Sequence, residues 1–240
     1  MGDVDRFPVT STLEEQLHQP LLEYYHQRLF LHMDELYAGI RMRKFPEDLR
    51  VYEELLWECR VDVVLELGLG HGGSALWFRD RLRTLARYGR SRYGLVIAVD
   101  RDTAAGRHHL EIADPAFEAE IRLVQSDVRD PEVVSKVTRH LPADARVLVI
   151  DDSAHRYDTA MATLRFFSPI VPVGGFLVIE DGHRDFPEMM PPNFPGIAQG
   201  VTTAIDEWLA TDEGARFVLR RDKERYIVTS SPRGFLQRVR

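Results

Sequence analysis

Between residues 61 and 179 the chain alternates short apolar runs with longer stretches whose apolar residues recur at helical intervals. Runs at 63–67, 95–99, 121–124, 147–150 and 176–179 read as strands, and helices are predicted to begin near Gly72, Thr103, Pro131 and Tyr157. Asp130 before Pro131 is a well-formed helix start. Such alternation is the pattern of an α/β domain on a parallel sheet. Residues 1–60 read as a helical extension in front of a domain spanning 61–240. Ser11 and Glu14 have capping-box spacing, and residues 21–37 are rich in Leu, Tyr and Phe at helix-like intervals. Pro46, with Glu47 and Asp48 in the first turn, opens a second helix. Residues 181–200 hold Pro187, Pro191, Pro192 and Pro195 and read as a long loop of the kind that serves as a lid. After a helix over about 204–209, runs at 217–220 and 225–229 read as a hairpin joined through Asp222 and Lys223.

Composition narrows the class. Of the 240 residues, 44% are apolar, ample for a core, and no stretch approaches the roughly 20 apolar residues of a membrane span. The start MGDVDRFPVT carries acids where a secretory signal would carry bases, so a cytoplasmic protein is expected. The single cysteine, Cys59, excludes a disulfide framework and a thiolate zinc site, leaving carboxylates and histidines to hold any metal. A net charge of −7 argues against nucleic-acid binding. Eight Lys/Arg nevertheless fall in the last 25 residues, as a solvated surface or as a subsite for an anionic substrate.

The segment 63–74, Val-Val-Leu-Glu-Leu-Gly-Leu-Gly-His-Gly-Gly-Ser, leaves a strand, turns through Gly68, Gly70 and Gly72, and enters a helix. Glycines let the backbone turn tightly and a ligand approach, while the helix start offers N–H groups to an anion. Gly68, Gly70 and Gly73 also satisfy the G-x-G-x-x-G spacing of nicotinamide and flavin proteins. Glu66 favours S-adenosylmethionine instead, because a carboxylate there suits the methionine ammonium and would repel a pyrophosphate. Ser74 and the helix start are candidates for the methionine carboxylate. Asp100, ending the next strand, is placed for ribose hydroxyls, and Asp127 for the adenine amino group or for a turn. No tyrosine is followed by lysine at the four-residue spacing of a short-chain dehydrogenase.

Two acidic pairs, Asp151-Asp152 and Glu180-Asp181, end the fourth and fifth strands. In the usual strand order these ends are neighbours, and four converging carboxylates call for a cation. Oxygen-only donors point to Mg²⁺, with Mn²⁺ or Ca²⁺ as alternatives. The competing expectation is that each pair caps a helix or faces water. His155, three residues after Asp152, turns back over the same crevice and is the candidate base. His71 and His183 stand close behind it.

Five parallel strands followed by an antiparallel pair resemble the Rossmann-like class I methyltransferase fold, with its seven-stranded, mostly parallel sheet. Further motifs carry a narrower resemblance: Arg43-Lys44-Phe45-Pro46-Glu47-Asp48-Leu49, Tyr52-Glu53-Glu54-Leu55, Gly-His-Gly-Gly-Ser-Ala-Leu-Trp, Asp152-Ser153-Ala154-His155, Ile179-Glu180-Asp181 and Ser231-Pro232-Arg233-Gly234-Phe235-Leu236. As an ordered set from about residue 40 onward, they are similar to the cephalosporin hydroxylase/rhamnosyl O-methyltransferase family. That resemblance implies O-methylation of a sugar hydroxyl, such as a rhamnose, with S-adenosylmethionine and Mg²⁺ in natural-product tailoring. It also implies Asp152, Glu180 and Asp181 as metal ligands, His155 as base, and a homo-oligomer with subunit contacts from the N-terminal helices. Asp151 stands where relatives tend to be apolar and is left out of the ligand set. An NAD-dependent sugar oxidoreductase and a non-catalytic partner protein that binds the methyl donor are the rival expectations.

Overall fold

The structure, a computed structural model, describes residues 17–191 and 200–240. Helix α1 (Leu21–Leu31), a tight hairpin of β1 (Leu36–Tyr37) and β2 (Ile40–Arg41), and helix α2 (Pro46–Glu58) come first. They lead into β3 (Val63–Leu67), α3 (Gly73–Arg87), β4 (Leu95–Asp100), α4 (Ala104–Ala113), β5 (Ile121–Gln125) and α5 (Glu132–Thr138). Then follow β6 (Val147–Asp151), α6 (Tyr157–Phe167), β7 (Phe176–Ile179), α7 (Val201–Leu209), β8 (Phe217–Leu219) and β9 (Phe235–Arg238). All five apolar runs are therefore strands. They form one sheet of order β5-β4-β3-β6-β7-β9-β8, parallel except for β9, which runs antiparallel to both β7 and β8.

Every residue of β3 and β6 is buried because the sheet carries helices on both faces. Val64, Leu148, Ile150 and Val178 face a core shared with Tyr52 and Leu55 of α2 and Phe78 of α3. Leu65, Leu67, Val149 and Ile179 face the opposite core, with Leu164 of α6 and Trp208 of α7. Burying each such aliphatic side chain contributes about 1.5–3 kcal/mol. The chain leaves β3 outward to β5 and returns to β6 on the other side, so strand order reverses between β3 and β6. In an open parallel sheet, ligands bind beyond the strand C-termini at that reversal.

Two expected elements are different. The helix expected over 21–37 stops at Leu31, and residues 36–41 form the β1-β2 hairpin. Its turn is Ala38-Gly39, both left-handed (φ 49° and 81°), the conformation that a two-residue hairpin loop requires. The segment 225–229 is not a strand, and β8 pairs with β9 instead. Ile227 is left-handed (φ 69°), and the following residues are drawn inward by hydrogen bonds. The Tyr25 hydroxyl donates to the Thr229 carbonyl at 2.9 Å, and the Ser230 N–H donates to buried Asp48 at 2.8 Å. Satisfying those buried polar groups overrides the strand propensity of the run. Ser11, Glu14 and residues 192–199 lie outside the described residues. No helix among the described residues is long and apolar enough to cross a membrane.

Candidate active site

At the β3/β6 reversal lies a cleft of about 690 Å³. Gly68, Gly70, Ser74, Asp100 and Asp127 line one part of it, and Asp152, His155, Asp181 and His183 another. Gly68 is left-handed (φ 109°), and a Cβ there would sit 2.0 Å from the Asp152 carbonyl oxygen, so no other residue fits. The Asp100 carboxylate accepts the N–H groups of Leu69 and Gly70 at 2.9 and 3.3 Å, and that of Asp102 at 3.2 Å. It thus shapes the glycine loop while facing the cleft. Asp127 lines the cleft and also makes turn contacts: it accepts the Arg129 N–H at 2.9 Å and pairs with the Arg129 guanidinium at 2.7 Å. Those bonds hold its carboxyl at about 2, below the usual range.

Two expected ligand contacts are not on the cleft wall. Gly72 is spent on packing, since a Cβ there would meet Leu110 of α4 at 2.9 Å. Glu66 is fully buried beneath the cleft floor. Burial raises its carboxyl to about 7, against the pull of Lys44. The basic C-terminal residues do not line the cleft either. Lys223 and Arg225 pair with Glu54, and Arg233 with Asp206, so the anionic-substrate alternative loses its footing there.

The four acids separate by pleat. Asp151 continues the Val147-Val149 face, and its carboxylate accepts the Ser153 N–H at 3.1 Å. Glu66, Asp152 and Glu180 share the other face at the ends of three adjacent strands, where β3 pairs with β6 and β6 with β7. Lys44 reaches all three. Its Nζ lies 2.7 Å from Asp152 Oδ2, 2.7 Å from Glu180 Oε1 and 3.9 Å from Glu66 Oε1. Tyr52 of α2 donates its hydroxyl to the same Glu180 oxygen. Burial pushes the Glu180 carboxyl well above its usual range, opposed by Lys44 and reinforced by Asp152. Glu180 is 3% exposed and faces Lys44 and Tyr52 rather than the cleft.

The cleft-facing cluster is Asp152, His155 and Asp181, whose ligand atoms lie within 4.8 Å of one another. His155 Nε2 is 3.2 Å from Asp181 Oδ2 and 3.9 Å from Asp152 Oδ1. Burial raises the Asp181 carboxyl, but His155, His183, Arg184 and His32 around it outweigh that, and the net shift is downward. His183 is buried, with Nδ1 3.0 Å from the Ser230 carbonyl oxygen. His155 and Asp181 are both left-handed non-glycine residues (φ 54° and 59°). Such conformations cost about 1–3 kcal/mol each and persist where the surroundings impose them. Two carboxylates facing one another beside a histidine suit a hard divalent cation whose remaining positions go to water or substrate oxygens.

Lys44 and Tyr52 are the residues that residue-level reasoning missed. A signal existed in the inward alternation Ile40, Met42, Lys44 against exposed Arg41 and Arg43, which puts Lys44 on the core side.

Strand order, glycine loop and antiparallel C-terminal pair together define a Rossmann-like class I methyltransferase fold. A model of the Rhamnosyl O-methyltransferase/CmcI family matches residues 30–239, and the chain belongs to that family. A rhamnosyl O-methyltransferase of Mycobacterium tuberculosis is 27% identical over 205 residues, covering 84% of this chain and 77% of that protein. One from Mycobacterium leprae is 24% identical over 183 residues, covering 76% and 73%. Among solved structures, CmcI with Mg-SAM superposes with a TM-score of 0.64 at 24% identity, over 100% of this chain and 89% of that one. The MycE methyltransferase of the mycinamycin biosynthetic pathway, in complex with Mg, SAH and mycinamycin VI, gives 0.50 at 19% identity, over 93% of this chain and 56% of that one.

Proposed function

We propose that the chain is a magnesium- and S-adenosylmethionine-dependent O-methyltransferase acting on a hydroxyl of a deoxysugar such as rhamnose, either as a nucleotide sugar or on a glycosylated natural product in secondary-metabolite biosynthesis. The observation that carries this reading is the Asp152–His155–Asp181 cluster opening into the same cleft as the glycine loop. The names of the relatives support the sugar acceptor, and the names of the two structural neighbours support the methyl donor and the metal.

Within the cleft, Ser74 and the N–H groups at the start of α3 receive the donor's carboxylate, and Asp100 the ribose. Gly68 and Gly70 let the donor lie against backbone. Asp152 and Asp181 would hold Mg²⁺, with Glu180 behind them. A divalent ion held there would supply Lewis acidity that stabilises developing alkoxide charge. His155 Nε2 takes the hydroxyl proton. The acceptor oxygen then bonds to the methyl carbon as the carbon–sulfur bond breaks, leaving S-adenosylhomocysteine. Holding both reactants in one cleft supplies several kcal/mol of the barrier reduction.

Thermal unfolding with S-adenosylhomocysteine, with and without Mg²⁺, and with NAD tests the reading. A rise in Tm with S-adenosylhomocysteine and none with NAD is expected, together with methyl transfer to a sugar acceptor that EDTA abolishes. Full turnover in chelator removes the metal. Stabilisation by NAD alone removes the methyl donor.

A further inference from the structure

We propose that Lys44 is a positioning residue that sets the strength of the divalent-metal site by competing with the metal for Asp152; this rests on the function proposed above. Asp152 is shared between two environments. Its Oδ2 lies 2.7 Å from the Lys44 ammonium inside the protein, while its Oδ1 faces His155 and the cleft. The ammonium is buried, 1% exposed at the side chain, and bound 2.7 Å from Glu180 as well. It cannot touch an acceptor and acts only through the carboxylates it holds.

Its position follows from the backbone on either side. The hairpin strand β2 sets the inward alternation of Ile40, Met42 and Lys44, and α2 starts two residues later at Pro46. Lys44 therefore enters the sheet edge at the level of Asp152 and Glu180, one pleat above Glu66. At such separations in a low-dielectric setting, a unit positive charge beside one carboxylate oxygen opposes a cation at the other. The lysine thus does two things at once. It fixes the carboxylate orientations, and it weakens the site so that the metal exchanges rather than being held permanently.

The test is Mn²⁺ binding, read by electron paramagnetic resonance in the presence of S-adenosylhomocysteine, for the full chain and for Lys44→Gln and Lys44→Met. Gln keeps hydrogen-bonding capacity without charge; Met keeps only the length. Both variants are expected to bind Mn²⁺ at least about tenfold more tightly than wild type, with S-adenosylhomocysteine affinity within about threefold. Both are also expected to unfold at lower temperature in EDTA and to regain more Tm from Mg²⁺ than wild type does. A variant that folds only when Mn²⁺ is supplied supports the same competition, since the divalent ion then replaces the lost charge. Variants that bind Mn²⁺ no more tightly than a Mn²⁺-binding wild type, or that fail to fold even with Mn²⁺, overturn the role of Lys44 alone. A wild type that takes up no Mn²⁺ ends the metal reading and this one with it.

Discussion

Each end of the central strand β3 buries a carboxylate, and the two are treated in opposite ways. At the N-terminal end, Asp62 is fully buried and over-supplied with donors. Arg92 and Arg146 both clasp it with their guanidinium groups, at 2.7–3.1 Å, and both also donate their backbone N–H groups, at 2.7 and 3.1 Å. At the C-terminal end, Glu66, Asp152 and Glu180 share one ammonium, and neither Glu66 oxygen has a hydrogen-bond partner at ordinary geometry. Two cations for one acid make a joint. Three acids for one cation crowd charge that burial relieves by pushing the Glu66 and Glu180 carboxyls up, and Asp152 is the one of the three that opens into the cleft, so that imbalance of donors singles out this end of the strand.

The largest expected effect lies at the under-supplied end. Asp152→Asn should lower kcat/KM at least about a thousandfold, as EDTA should in wild type, with the circular dichroism spectrum unchanged. A variant with near-normal turnover would show that the imbalance has another purpose. His155→Ala comes next, with kcat expected to fall about 100- to 10,000-fold while S-adenosylhomocysteine still binds; an unchanged pH–rate profile would remove it as the base. Asp62→Asn should reverse the pattern. Urea unfolding should show a loss of about 2–4 kcal/mol, while the folded fraction turns over like wild type.

The smallest effect is one of pH. Burial would raise the Asp62 carboxyl, but the hydrogen bonds from Arg146 and Arg92 overcome it and hold it well below the usual range. Its contribution is therefore fully present above the unfolded value, about 4, and is lost as pH falls toward the folded one. The stability gap between wild type and Asp62→Asn should be flat above pH 5 and narrow below about pH 4.

Legibility in the sequence followed the range of the forces. The five parallel strands could be read because full burial on both faces writes uninterrupted apolar runs, and the glycine loop because positive φ demands glycine. The β1-β2 hairpin was hidden because its first strand, Leu36–Tyr37, falls at the end of a run whose Leu and Tyr spacing also fits a helix. The segment 225–229 misled because its fate depends on Tyr25 and Asp48, about 200 and 180 residues earlier in the chain. In the site, Asp152, His155 and Asp181 were legible as residues at strand ends. The inward turn of Glu180 was not, because Lys44 is 136 positions away and nothing near Glu180 announces it. Glu66 was placed at the right strand end, but its depth depends on the same lysine.

Gly68 packs the glycine loop against the backbone of Asp152 and Ser153, a contact reinforced where the Asp152 N–H donates to the Leu67 carbonyl at 2.8 Å. The glycine loop and the acid cluster, the proposed donor and acceptor sides of the cleft, thus share a seam that tolerates not even one methyl group. For anyone seeking to change which sugar is accepted, the seam marks a boundary for design. Variation there would disturb both sides of the cleft at once, whereas the outer rim at Met33 and Arg156 touches neither Asp152 nor Asp181 and is the place to diversify.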